Sequence, residues 1–139
     1  MRQTPVKNYS PAILVYISIL LVDDSKMLRT IMKKKLMGAG YDVEEVGNGE
    51  EAVAKHRRTN PQLTIMDLVL PKLENLDAIV QIQKESPDAR FVICSSISRR
   101  DEKVTADFLN VLHYIVKPMS LEDVVEKVND AFKQIKKQK

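Results

Sequence analysis

Short apolar runs of strand length alternate along this chain with segments whose apolar residues recur every three or four positions, and that alternation leaves few folds open. The strand signals are Ile17 to Val22, Tyr41 to Val46, Leu63 to Met66, Phe91 to Cys94 and a short run from Tyr114 to Val116. Ser25 is placed to cap a helix carrying Met27, Leu28, Ile31, Met32 and Leu36 at helical spacing, stopped by Gly38 and Gly40. Asn48 to Arg58 predicts a second helix, and Leu76, Ile79, Val80 and Ile82 mark a third, closed by Ser86-Pro87. A fourth spans about Arg99 to Leu109, and Ser120 opens a long fifth with Leu121, Val124, Val125, Val128, Ala131 and Phe132 on one face. Five strands alternating with five helices through short loops predict an α/β fold, a doubly wound parallel sheet covered on both faces.

Right-handed crossovers place the carboxyl ends of all parallel strands on one edge, where open α/β sheets carry their chemistry. That edge gathers Asp23 and Asp24 after the first strand, Asp67 after the third, Ser95 and Ser96 after the fourth, and Lys117-Pro118 after the fifth. Asp67 is delivered by the run from Leu63 to Leu70, before Pro71 breaks the ladder. Each residue alone is an ordinary turn or cap residue. Three carboxylates converging from separate segments are different, because like charges at close quarters repel unless a cation or proton neutralises them. With neither His nor Cys among them, the oxygen ligands suit a hard cation such as Mg2+.

Length and composition limit what can be built around this edge. At 139 residues and 44% hydrophobic, the chain suffices for a single core and is too short for two substantial domains. The net charge of +3 owes part of its excess to Lys133, Lys136, Lys137 and Lys139, expected to be a solvated tail rather than a nucleic-acid site. Cys94 is the single cysteine, so no internal disulfide is possible; a buried thiol in a reducing cytoplasm is expected. Residues 1–16 are expected to form an N-terminal leader, flexible at least from Met1 to Ser10, with Ala12 to Tyr16 able to lengthen the first strand. Arg2 and Lys7 precede an apolar run in the order of a signal peptide. That run lacks a cleavage site, ends at Asp23-Asp24 and falls well short of the roughly 20 residues a membrane span needs. His56 and His113 lack metal-ligand spacing and are read as structural or solvated, while Met27 and Met32 are read as core filling. The helix face carrying Lys33, Lys34 and Lys35 is expected to meet solvent.

In order and spacing, Leu21-Val22-Asp23-Asp24-Ser25, Asn48-Gly49-Glu50-Glu51-Ala52, Met66-Asp67-Leu68-Val69-Leu70-Pro71, Ser95-Ser96 and Tyr114-Ile115-Val116-Lys117-Pro118 resemble the receiver domain of two-component response regulators. The resemblance covers roughly Ile17 to Lys133 and implies one receiver domain over 17–139. Its fold would be flavodoxin-like, the CheY-like (βα)5 arrangement with strand order 2-1-3-4-5. It implies that Asp67 is the phosphoacceptor, a carboxylate that becomes an aspartyl phosphate. Asp24 would bind Mg2+ directly, Asp23 through coordinated water, and the backbone carbonyl of Val69 would add a ligand. Lys117 would pair with the phosphoryl group, Ser95 would bind one of its oxygens, and Tyr114 would be the aromatic switch residue that turns inward on activation. Partners implied are a sensor histidine kinase or histidine phosphotransfer protein, which the surface of the first helix can meet, and a downstream protein target. No nucleic acid and no membrane is expected, because no DNA-binding segment follows the fifth helix and the chain looks like a stand-alone receiver. The protein would not be an enzyme beyond Mg2+-dependent self-phosphorylation and slow autodephosphorylation.

Some residues depart from the family pattern or admit other readings. Asn75 replaces the glycine usual after the phosphoacceptor loop, where Asn keeps a left-handed conformation accessible. Asn110-Val111 stands where a Gly-Ala pair is usual, so the fourth helix and its following loop are expected to differ in shape. In receivers, side chains two residues beyond the phosphoacceptor and two beyond the Ser/Thr help place the hydrolytic water. Here those are Val69 and Ile97, neither able to hydrogen-bond through its side chain, so a long-lived phosphoryl group is expected. A rival reading takes Gly47-Asn48-Gly49-Glu50-Glu51-Ala52 as a dinucleotide-binding fingerprint with Asp67 as the ribose-binding acid. Against it, Glu50 and Glu51 would place negative charge where pyrophosphate must bind, and Asp23, Asp24 and Lys117 would have no role. A third reading is a pseudo-receiver, a binding module that keeps the fold without phosphorylation.

Overall fold

A computed structural model of the chain describes residues 18–68, 74–95 and 110–137. The expected leader at 1–16, the residues Val69 to Pro71, Ser96, Ile97 and the expected helix from Arg99 to Leu109 lie outside the described residues. In chain order the elements are β1 (Ile19–Val22), α1 (Lys26–Gly38), β2 (Val43–Val46), α2 (Gly49–Thr59), β3 (Leu63–Leu68), α3 (Glu74–Glu85), β4 (Phe91–Ser95), β5 (Val111–Val116) and α4 (Leu121–Lys137). The five strands form one sheet in the order β2-β1-β3-β4-β5, and every neighbouring pair is parallel. This is the doubly wound, flavodoxin-like order expected from the sequence.

Strand alternation sorts the apolar side chains into two cores. Ile19, Leu21, Leu63, Ile65, Val92, Cys94 and Ile115 pack on one face with Met32 and Leu36 of α1 and Val124, Val128, Ala131 and Ile135 of α4. Leu20, Val22, Met66, Leu68, Phe91 and Ile93 pack on the other with Ala52 of α2 and Ala78, Ile79 and Ile82 of α3. Burying side chains of this size contributes about 1.5–3 kcal/mol each. These cores hold the strand ends in register.

The helix starts follow the expected chemistry. Ser25 Oγ accepts from the Leu28 amide at 3.2 Å, Asn48 Oδ1 from Glu51 at 2.8 Å, and Ser120 Oγ from Asp123 at 3.0 Å. Several boundaries and environments differ from expectation. β3 runs on to Leu68, so Asp67 pairs with Cys94 inside the ladder rather than following it. β5 begins at Val111, where Asn110 takes the left-handed conformation (φ 64°) that the usual glycine would supply. The basic terminus is no free tail through Lys137: α4 reaches that residue, and Ile135 is buried in the core. Met27 and Ile31 are exposed, Met27 by 74%, so the buried stripe of α1 is carried by Met32 and Leu36. Of the two readings given for His56, structural or solvated, the structure selects the first: it is buried, because it continues the inward spacing of Gly49 and Ala52 on α2.

Candidate functional site at the carboxyl edge of the sheet

The register of the three central strands builds the site. Val22 stands beside Met66, so the chain leaves β1 at Asp23 next to Asp67 on β3. Asp23 and Asp67 are both buried, whereas Asp24 is exposed. The Ser25 amide donates to Asp23 Oδ1 at 2.8 Å, which turns that carboxylate back over the start of α1. One carboxylate oxygen from each of Asp23, Asp24 and Asp67 lies within 4.8 Å of the others.

Lys117 enters from the end of β5. Its amide donates to the carbonyl of Ser95 at 2.8 Å, and its Nζ lies 2.8 Å from Asp67 Oδ1 and 3.9 Å from Asp23 Oδ2. The Lys117–Pro118 peptide is cis. Asp67 Oδ1 is buried, and among the described residues it meets the Lys117 ammonium as an ion pair with no well-directed hydrogen bond. Ser95 is fully buried at the last position of β4, opposite Leu68.

Burial, and after it the neighbouring charges, set the titration of Asp67 and Lys117. Burial pushes the Asp67 carboxyl above its ordinary range, and the charges of Asp23 and Asp24 add to that; Lys117 opposes but does not cancel them. Burial pulls the Lys117 ammonium down, but the contact with Asp67 and the charge of Asp23 outweigh it, and its net shift is upward. Among the described residues the cluster is therefore short of positive charge. Three all-oxygen carboxylates, two of them buried and one with an undirected oxygen, fit a hard divalent cation.

The sequence-predicted residues Asp23, Asp24, Asp67, Ser95 and Lys117 thus come together, while Val69 and Ile97 lie outside the described residues. Tyr114 is half-buried, on β5 beside Ile93, and packs against the core on the α2–α3 side. Asn75 departs from expectation, for it sits in α3 with helical backbone and its side-chain amide donates to the carbonyl of Asp67. It ties the next helix to the acceptor residue, a role that a glycine could not fill. Glu51 Oε1 accepts from the Gly47 amide at 2.9 Å. Just ahead of the α2 N-terminus, where the rival reading puts a pyrophosphate, the Gly47 amide is thereby taken by the chain's own carboxylate.

A family model described as the response regulator receiver domain matches residues 19–129. The chemotaxis protein CheY of Thermotoga maritima is 34% identical over 116 residues, covering 83% of this chain and 97% of that protein. The probable transcriptional regulator ycf27 of Porphyridium aerugineum is 31% identical over 119 residues, which cover 86% of this chain and 49% of its own length. Among solved structures, a CheY-like receiver domain protein from Methanospirillum hungatei has the same fold with a TM-score of 0.80 at 24% identity, covering 89% of this chain and 99% of that one. The response regulator TrrA from Thermotoga maritima, solved in complex with Mg(2+)-BeF, has a TM-score of 0.71 at 29% identity, covering 83% and 98%.

Proposed function

The chain belongs to the response regulator receiver family, and on that footing we propose that it takes a phosphoryl group onto Asp67 from a histidine kinase or histidine phosphotransfer protein. The reaction depends on Mg2+, and the product signals to a protein partner by a change of conformation. The observation that carries this reading is the buried Asp67 carboxylate facing both the Asp23–Asp24 pair and the Lys117 ammonium.

A carboxylate oxygen of Asp67 attacks phosphorus, the phosphorus–nitrogen bond of the donor breaks, and the imidazole leaves with that electron pair. Asp23, Asp24 and Asp67 would hold Mg2+, which offsets charge on the phosphoryl oxygens during transfer. Lys117 supplies a point charge on a flexible stem and moves from carboxylate to phosphoryl oxygen. Ser95, on the neighbouring strand end, donates its hydroxyl to another phosphoryl oxygen. Phosphorylation shifts the population only by its differential interaction with the two states, so the contacts of Ser95 and Lys117 limit the switch. Tyr114 on β5 carries the change outward. A cytoplasmic location accords with that donor chemistry; among the described residues no helix is long and apolar enough to cross a membrane.

Transfer tests the proposal. A radiolabelled histidine-phosphorylated donor should pass label to this protein in Mg2+, in a form that hydroxylamine releases, as it does from acyl phosphates. Label that never leaves the donor, across a panel of such proteins, would favour the pseudo-receiver reading.

A further inference from the structure

Arg29 stands outside the acidic cluster but grips its frame. From α1 its Nη1 donates to the backbone carbonyl of Asp23 at 2.7 Å, and its Nε donates to Glu45 Oε1 at 3.0 Å. Glu45 lies on β2 opposite Leu21, and its other carboxylate oxygen is 3.7 Å from Lys33 Nζ. The Arg29 side chain is 16% exposed, so water competes little for these contacts. The carbonyl it holds belongs to the peptide joining Asp23 to Asp24. Fixing that peptide plane fixes the direction in which Asp24 leaves the strand end.

Gly47 completes the arrangement. A Cβ at Gly47 would lie 3.1 Å from Arg29 Nη1. The φ of Gly47 is not positive, so this glycine answers a need for space rather than for a special conformation. Arg29 is tied to both Asp23 and Glu45 and cannot retreat without stretching the bond to the Asp23 carbonyl. The first glycine of the nucleotide-like motif thus leaves room for a guanidinium.

We propose that Arg29 is a positioning residue for the cation site, with Glu45 and Gly47 serving to aim its guanidinium at the Asp23–Asp24 peptide. This rests on the reading of Asp23, Asp24 and Asp67 as cation ligands. Electrostatics alone predicts the opposite effect: removing a positive charge beside three carboxylates should tighten cation binding. The sign of the change therefore separates positioning from charge.

The test is a Mn2+ titration of the whole chain followed by electron paramagnetic resonance, with the fold monitored by circular dichroism in EDTA. Wild type should bind, and Arg29→Ala should weaken affinity roughly 10-fold or more, the range for losing a group that orients a metal ligand. Arg29→Lys should fall short of full rescue, because an ammonium lacks the planar fork. Gly47→Ala should weaken binding in the wild-type background and add nothing to Arg29→Ala. Should Arg29→Ala not fold, Arg29→Lys and Gly47→Ala carry the same test. Unchanged or tighter binding in a folded Arg29→Ala, full rescue by Lys, or additivity with Gly47→Ala would overturn the inference. A wild type that binds no Mn2+ would instead bring down the cation site and this inference with it.

Discussion

Lys117 Nζ lies 2.8 Å from Asp67 Oδ1, yet the ion pair does not relieve the acceptor: the Asp67 carboxyl titrates above its ordinary range. A carboxyl whose folded pKa is raised binds its proton more tightly when folded, so stability is lost as pH rises through that pKa. At neutral pH the charged Asp67 is therefore a cost to the fold. Asp67→Asn removes the charge at constant shape and should raise the melting temperature by roughly 2–5 °C. The advantage should disappear on acidification through the raised Asp67 pKa. Scanning calorimetry across pH checks both statements, and a destabilised Asn variant at neutral pH would contradict them.

Mg2+ should stabilise the wild type by binding only the folded state, by about 1.4 kcal/mol at ten times its Kd. Asp24 is exposed, so Asp24→Ala should fold normally while losing that response. A thermal melt with and without millimolar Mg2+ reads the difference directly.

The polar edge was legible because topology alone dictates it. Once β1, β3 and β5 were recognised as parallel, Asp23, Asp67 and Lys117 had to meet at their ends. Arg29 was not legible, since its partners are a backbone carbonyl and a carboxylate on another strand, Glu45, and no spacing in the chain announces either. Asn75 was hidden for the same reason, its partner being the carbonyl of Asp67. Two environments could have been found. Gly49, Ala52 and His56 share an inward stripe on α2, and Ile135 continues the Val124, Val128, Ala131 series on α4. Histidine polarity and the flanking lysines outweighed that spacing. On α1 two overlapping apolar stripes occur, and only packing against the sheet selects Met32 and Leu36 over Met27 and Ile31.

His56 should give the fold a pH dependence of its own. Its Nε2 is buried with no hydrogen-bond partner among the described residues, and burial lowers its pKa although Glu85 pulls the other way. The unfolded imidazole protonates near its ordinary value of about 6.5 while the folded one resists. Stability is thus fully present above that value and is lost as pH falls toward the folded pKa, at most about 1.4 kcal/mol per pH unit. Denaturant melts between about pH 7.5 and 5.5 should show the loss in wild type and a flatter profile in His56→Leu. Parallel profiles in the two proteins would exclude His56 as the source.

Phosphoryl lifetime should be long. Val69 and Ile97, two residues beyond Asp67 and Ser95, offer attacking water no side-chain hydrogen bond. Decay in Mg2+ after donor removal should extend well beyond seconds, and the double substitution Val69→Asn with Ile97→Glu should accelerate it. Decay within seconds, or no acceleration in the double variant, contradicts this.

The central claim is that Asp67 accepts phosphoryl in a Mg2+-dependent reaction, and intact-mass spectrometry after treatment with acetyl phosphate tests it most directly. The account predicts one added phosphoryl group in Mg2+, none in EDTA and none in Asp67→Asn. No addition to the wild type, or undiminished addition to Asp67→Asn, would contradict it.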